Sequence, residues 1–229
     1  MLFSGLEKNS FIDYNGKISC VIFTSGCNFS CPFCHNPNAA KGETISLAEE
    51  DLYNFLIDRK AFLDGVVISG GEPTIHKDLF KFCEQIKKIG YQIKLDTNGS
   101  NPDSLKKLIH DQLIDYIAMD IKTSPSLYNK FISNTCSPKD IISSIKIIMG
   151  SNVKYEFRTT CIKPIISENI IKNISQIISG ASLYALQHFN NSKILEPSFF
   201  KSKNQIYDDN ELAQFKYIVS PFVKECIIR

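Results

Sequence analysis

Val66-Val67-Ile68-Ser69-Gly70-Gly71-Glu72-Pro73 reads as a short buried strand that ends in a glycine-rich turn. Three β-branched residues in a row favour an extended backbone, and Gly-Gly followed by Pro closes it. Behind the turn, residues 77–89 are amphipathic and stop before Gly90, as a helix with a C-terminal glycine does. The same strand–turn–helix unit recurs on both sides. Strand-type runs lie at 18–23, 66–69, 92–95, 116–119, 154–158 and 182–187. Helix-type segments lie at 46–60, 77–89, 102–110, 138–149 and 168–178. The first of these opens with a capping-box pattern, Ser46 followed by Glu49. Strands alternating with helices of this length imply a parallel sheet with right-handed crossovers. Six such units predict an α/β fold, an incomplete (β/α)6 TIM-like barrel, in a single domain over residues 1–229.

A parallel α/β sheet gathers its active site at the carboxyl ends of the strands. Nearly every unusual polar cluster in this chain follows a strand. A cysteine loop within 24–37 follows the first and Gly70-Gly71-Glu72-Pro73 the second. Asp96-Thr97-Asn98-Gly99, Asp120-Ile121-Lys122, Arg158-Thr159-Thr160 and Gln187-His188 follow the rest. Turn chemistry accounts for one or two such clusters. Six of this polarity predict a site.

The cysteine loop, Cys27-Asn28-Phe29-Ser30-Cys31-Pro32-Phe33-Cys34, has the spacing C-x3-C-x2-C with no fourth cysteine nearby. A four-iron, four-sulfur cluster normally takes four thiolates, so three leave one iron open to a small molecule. Two other readings stand beside this one. Cys31-Pro32-Phe33-Cys34-His35 matches a haem-attachment motif, but that chemistry needs export and leaves Cys27 idle. Cys27, Cys31, Cys34 and His35 match a zinc donor set, but adjacent Cys34 and His35 would be strained as joint ligands. The open-iron cluster explains the pattern best and points to chemistry rather than electron carriage alone.

The remaining clusters suit an amino acid-like ligand. Paired glycines let a ligand approach the backbone, and Glu72 can take an ammonium, although Gly-Gly alone also reads as a turn. Lys122 and Arg158 can hold a carboxylate, with surface ion pairing as the plain alternative. Asp96 and Asp120 on adjacent strand ends need a proton or a cation between them. His188, beside an aromatic residue, also reads as a satisfied core histidine, and His76 and His110 as ordinary helix residues.

Composition narrows the function classes. Hydrophobic residues make up 43% of the 229, enough for a sizeable core. Cys20, Cys83, Cys136, Cys161 and Cys226 lack ligand spacing and read as buried thiols in a reducing compartment, the cytoplasm. No secretion signal is expected, and no apolar run approaches the ~20 residues that span a bilayer. A formal charge of +2 gives no electrostatic case for nucleic acid or membrane.

Cys27-x3-Cys31-x-Phe33-Cys34 resembles the signature of the radical S-adenosylmethionine (SAM) superfamily, and Gly70-Gly71-Glu72-Pro73 resembles its second motif. The pattern is most similar to that of the glycyl-radical enzyme activases, in particular the activating proteins of anaerobic ribonucleoside-triphosphate reductases. Phe11-Ile12-Asp13-Tyr14, Lys94-Leu95-Asp96-Thr97-Asn98-Gly99-Ser100, Ala118-Met119-Asp120-Ile121-Lys122, Tyr155-Glu156-Phe157-Arg158-Thr159-Thr160 and Leu186-Gln187-His188-Phe189 carry it along most of the chain. Residues 190–229 match least and are expected either to close the barrel or to contact a partner.

The resemblance implies a role for each residue. Cys27, Cys31 and Cys34 ligate a [4Fe-4S] cluster whose open iron chelates the amino and carboxylate groups of SAM. Phe33 lies against the adenine. Gly70, Gly71 and Glu72 hold the methionyl end, Lys122 and Arg158 its carboxylate side, and His188 the ribose or methionyl end. Asp96 and Thr97 border SAM and, with Asp120, hold a monovalent cation. The reduced cluster passes one electron to the sulfonium, and cleavage gives methionine and a 5′-deoxyadenosyl radical that takes an α-hydrogen from a glycine of a partner enzyme. The expected partner is the catalytic subunit of anaerobic ribonucleotide reductase, and the expected reductant is of flavodoxin or ferredoxin type. Three alternatives are a pyruvate formate-lyase-type partner, a small-molecule enzyme like the deazapurine synthase, marked by magnesium dependence, and an electron carrier that leaves SAM intact.

Overall fold

A computed structural model of the chain describes residues 1–42, 47–133, 136–190, 194–199 and 205–229. All six strand-type runs form strands of one sheet: β2 (Ser19–Thr24), β3 (Gly65–Gly70), β4 (Gln92–Thr97), β5 (Tyr116–Asp120), β6 (Lys154–Cys161) and β7 (Tyr184–His188). Two more strands lie outside that expectation. β1 (Phe3–Ser10) pairs antiparallel with β2, and β8 (Cys226–Ile228) pairs parallel with β7. The order in the sheet is the order in the chain, β1 to β8, with β2 to β8 parallel. Among the described residues β1 and β8 are its two edges, so the barrel is incomplete. Residues 190–229 supply β8 and its covering helix, adding a strand without closing the ring.

The helices follow from capping and amphipathic spacing. They are α1 (Pro37–Lys41), α2 (Glu49–Asp58), α3 (Leu79–Ile89), α4 (Pro102–His110), α5 (Tyr128–Phe131), α6 (Pro138–Met149), α7 (Glu168–Ile177) and α8 (Asp209–Val219). Asn101 caps α4 by accepting from Ser104 N at 3.2 Å, with Pro102 in the first turn where its missing N–H costs nothing. α3 ends at Gly90, whose φ of 99° suits glycine. The capping box read at Ser46 falls outside the described residues. α2 instead starts at Glu49 behind an extended Ala48 with no side-chain cap, and three acidic residues favour its first turn electrostatically. A capping box does form at α8, between Asp208 and Glu211. His76 lies beyond a short 3-10 turn, Pro73–Ile75, rather than in a helix.

Strand alternation divides the sheet into two faces. Ile22, Ile68, Leu95, Ile117, Phe157 and Leu186 join the core with Phe82, Ile86, Leu105, Ile141, Ile145 and Ile171 of the helices, all fully buried. On the other face Tyr14, Val21 and Val67 form a small apolar plug with Phe23 and Tyr116 packed against it. Further along that face come Lys94, Asp96, Asp120, Glu156 and Arg158. All five scattered cysteines are buried free thiols.

Candidate active site

The loop after β3 is built against the chain entering the cysteine loop. Gly71 N donates to Thr24 O (2.8 Å) and Glu72 N to Gly26 O (2.9 Å). A Cβ on Gly71 would stand 1.9 Å from Gly26 O, so no side chain fits. Gly70 has φ of 104°, and a Cβ there would meet the Thr24 backbone at 2.5 Å. Gly26 N and Cys27 N in turn donate to Ala39 O and Ala40 O (2.7 and 3.0 Å), hanging the loop on α1.

Glu72 ties three loops together. Its Oε1 accepts from Thr74 N (3.0 Å), Thr74 Oγ1 (2.5 Å) and Thr97 Oγ1 (2.8 Å), and its Oε2 accepts from Asn98 N (2.6 Å). Burial pushes its pKa up, while these donors counter that rise. Two backbone N–H groups and two hydroxyls thus converge on its two oxygens. The expected ammonium partner therefore finds those oxygens already engaged by the chain's own donors.

Cys27, Cys31 and Cys34 line one cavity of about 230 Å³ together with Phe29, Phe33 and His35. Burial pushes the Cys27 thiol up to about 11 and the Cys31 thiol up to about 12, so both carry protons at neutral pH. Metal ligation by thiolate displaces such protons. Burial, with Lys122 nearby, lowers the pKa of His35 and keeps its ring neutral. That ring lies 5.6 Å from Phe189. Among the described residues no group of three or more His, Cys, Asp or Glu side chains could share one metal ion. A cluster gives each thiolate its own iron, so the three thiols need not converge on a single ion.

A line of alternating charges faces the thiols. Asp120 Oδ2 accepts from Lys122 Nζ (2.8 Å) and its Oδ1 from Arg158 Nε (2.7 Å). Arg158 Nη1 reaches Asp96 Oδ1 at 3.5 Å, and Lys94 Nζ reaches the same oxygen at 3.4 Å. Lys94 lies 3.8 Å from Glu156, which pairs with Arg229 at 2.9 Å. Of this line Lys122, Arg158, Asp96 and Asp120 border the cavity, two cations against two carboxylates, so what it offers an anionic ligand group is the free N–H groups of Lys122 and Arg158 rather than a net charge. Burial disfavours the charge on Asp120, but Arg158 and Lys122 outweigh it and hold the carboxyl well below the usual range. Burial likewise opposes the charges on Lys122 and Arg158, and the acidic groups around each, Asp120 first, together more than offset it. Asp96 Oδ1 has no hydrogen-bond partner among the described residues, while Oδ2 accepts from Ser69 Oγ at 3.0 Å.

All six post-strand clusters contribute to this cavity: Cys27, Cys31, Phe33 and Cys34; Gly70, Gly71 and Glu72; Asp96 and Thr97; Asp120 and Lys122; Arg158; and Gln187. His188 stands apart. It pairs with Cys161 across β6–β7, whereas Gln187 pairs with Thr160, so Gln187 takes the cavity face. The His188 ring instead meets Asp209 at 3.3 Å. Phe29, Asn98 and Gln187 also line the cavity, and the sequence reading gave none of them a role of its own. Asn98 sits inside the quoted Asp96–Gly99 segment and Gln187 inside the quoted Gln187-His188 pair, where strand alternation decides which of the two faces the cavity.

Three thiols on one loop, two glycines packed against it and an ion-paired lysine and arginine opposite define an iron–sulfur enzyme on a partial (β/α) barrel. Residues 21–172 match the model of the Radical SAM superfamily. A protein of Methanocaldococcus jannaschii, named provisionally as a glycyl-radical enzyme activating enzyme, is 34% identical over 100% of this chain and 95% of its own length. The pyruvate formate-lyase-activating enzyme of Listeria monocytogenes is 33% identical over 52% of each chain. The chain belongs to the radical SAM superfamily, in its family of glycyl-radical enzyme activating enzymes. Among solved structures, Streptococcus suis SuiB bound to S-adenosylmethionine has TM-score 0.68 at 17% identity, covering 91% of this chain and 49% of SuiB. TYW1 with a lysine-pyruvate adduct has TM-score 0.63 at 14% identity, covering 89% and 72%. At these identities the likeness is one of fold. The chain spans about half the length of SuiB. No described helix is long and apolar enough to cross a membrane.

The family implies a [4Fe-4S] cluster and SAM. The donor set fits both: three thiols face one cavity, and Asp96 Oδ1 and the Lys122–Arg158 pair present polar atoms to it.

Proposed function

We propose that the partner is anaerobic ribonucleoside-triphosphate reductase, and that SAM occupies the cavity with its methionyl carboxylate towards Lys122 and Arg158. The observation carrying this reading is the meeting of Cys27, Cys31 and Cys34 with that cation pair in one cavity. When bound, the cluster would supply the electron for SAM cleavage, the chemistry by which an activase removes the α-hydrogen of a partner glycine.

The chain's own residues bind and orient. Cys27, Cys31 and Cys34 would hold the cluster. Asp120 fixes Lys122 and Arg158 in place, so their free N–H groups are already aimed when a carboxylate arrives. Gly70 and Gly71 let the methionyl end lie against the backbone, and Glu72 serves it by tying the surrounding loops. Phe33, 6.0 Å from Lys122 Nζ, gives an apolar face for the adenine and keeps water from the cations. A monovalent cation at Asp96, Thr97 and Asp120 would compete with Arg158 and Lys122 for the same oxygens, and Asp96 Oδ1 has acceptor capacity left.

The segments from Phe11 to Phe189 that resemble the reductase-activating branch support this partner, and a flavodoxin- or ferredoxin-type reductant follows with it. A second reading has its own support. The 7-carboxy-7-deazaguanine synthase of Haemophilus influenzae is 33% identical over 66% of this chain. An anaerobic electron paramagnetic resonance experiment tests both. Reconstituted protein, strong reductant, SAM and the reductase catalytic subunit should give a glycyl-radical doublet that requires all three cysteines. Release of 5′-deoxyadenosine without a doublet overturns the partner. Turnover that depends on magnesium and a small molecule favours the synthase reading.

A further inference from the structure

We propose that Asn98 sets the reduction potential of the cluster by donating a side-chain hydrogen bond to the Cys27 sulfur. The proposal rests on the cluster reading above.

Asn98 is buried and held at both ends. Its backbone N–H donates to Glu72 Oε2 (2.6 Å), which fixes where the residue stands. Its side-chain Oδ1 accepts from Ser100 N (2.9 Å). A backbone N–H can only donate, so the amide cannot be turned round: the oxygen must face Ser100 and the NH2 must face the cysteine loop. There Nδ2 lies 3.0 Å from Asn28 Oδ1 and 3.9 Å from Cys27 Sγ. Asn28 is itself held, its Nδ2 donating to Ser100 Oγ at 2.8 Å. A closed ring of Asn98, Asn28 and Ser100 therefore presents one side-chain N–H to one sulfur. The backbone of Phe29 gives Cys27 a second donor at 3.4 Å.

A thiol is a weak acceptor, and 3.9 Å is a loose contact. A cluster-bound thiolate carries negative charge and draws the same donor more strongly. Reduction adds a further electron, so a donor on the sulfur stabilises the reduced state more than the oxidised one and raises the potential. Asn98 thereby makes the cluster easier to reduce by the physiological donor. The same donor lessens its push on the sulfonium.

The test is the midpoint potential of the reconstituted holoprotein, titrated anaerobically and followed by electron paramagnetic resonance. Asn98→Leu keeps the branched outline of the side chain and removes the donor, so the midpoint should move to more negative values with iron content unchanged. Asn98→Asp keeps the acceptor for Ser100 N and places an anion beside the sulfur, so it should move further the same way. Asn28→Ala frees Nδ2 from its competing acceptor, so the midpoint should hold or rise. An unchanged midpoint in Asn98→Leu overturns the proposal, whatever Asn98→Asp does. So does a fall in Asn28→Ala matching that of Asn98→Leu, which would make the ring merely structural. Wild-type protein that assembles no three-cysteine cluster would instead overturn the cluster reading, and its iron content tells the two failures apart.

Discussion

Replacing Gly71 with alanine should disable the site through the backbone alone. The added Cβ would sit 1.9 Å from Gly26 O and 2.6 Å from Gly26 C. An ordinary carbon–oxygen contact is about 3.3 Å, so the two loops must part by about 1.4 Å. Neither neighbour is the end of a flexible side chain. Gly26 is fixed by its bond to Ala39 O, and Gly71 by its bond to Thr24 O. The separation would break the Glu72 N–Gly26 O bond, costing about 1 kcal/mol, and add roughly 1–3 kcal/mol of overpacking. A loss of about 2–4 kcal/mol corresponds to a fall of about 4–16 °C in Tm for a chain of this size. The functional effect should be larger, since Cys27 follows Gly26 directly and a 1 Å displacement can cost about 100-fold in rate. Thermal melting and anaerobic 5′-deoxyadenosine release measure the two effects. A Gly71→Ala protein with wild-type melting and wild-type cleavage would refute the close packing of these loops.

Cys31→Ala should fail to reach full iron content on reconstitution and should release no 5′-deoxyadenosine, and normal release would remove the cluster assignment. Glu72→Ala leaves Thr74 N and Asn98 N buried without an acceptor, so it should cost about 2–6 kcal/mol and lower iron content together with SAM binding; loss of SAM affinity alone would return Glu72 to direct ligand contact. Asp120→Asn should raise the KM for SAM and destabilise the fold by roughly 3–5 kcal/mol, because Lys122 and Arg158 lose their shared anion. The wild-type carboxyl is depressed, so its contribution is present above the ordinary carboxylate range near pH 3.9 and fades as pH falls towards its folded value. Melting curves from pH 7 downward should show that acid-dependent loss in the wild type and a smaller one in Asp120→Asn; identical profiles would count against the ion pair.

The central strands could be read from sequence because buried parallel strands are continuous apolar runs with little ambiguity. Cys20-Val21-Ile22 and Val66-Val67-Ile68 are examples, and their ends fall within a residue or two of β2 and β3. β1 gave no such signal. It is an edge strand with an exposed polar middle, Glu7-Lys8-Asn9, and β8 is three residues long. The convergence of polar clusters followed from topology alone. Their pairing did not: that Glu72 accepts from two residues of the β4 loop depends on how closely two turns approach, and Gly71 shows that closeness only in three dimensions. His188 stands one residue beyond Gln187, which lines the cavity. The reason is register, since a strand turns successive side chains to opposite sides. Asp96 and Asp120 were expected to need a mediator, and Arg158 stands between them.

The unbroken strand order from β1 to β8 makes the cavity wall a row of tiles laid in chain order. Each tile hangs from its own strand, but Gly71 and Glu72 lock the loops after β2, β3 and β4 to one another, so a change of length in one of these is felt by the other two. Losing a whole strand is a different event: every later tile would slide one strand spacing, about 4.8 Å, around the arc. Asp120 and Arg158, which sit opposite each other across β5 and β6, would then part if either strand were displaced from the other. The order of the wall is thus fixed by the sheet and cannot be shuffled.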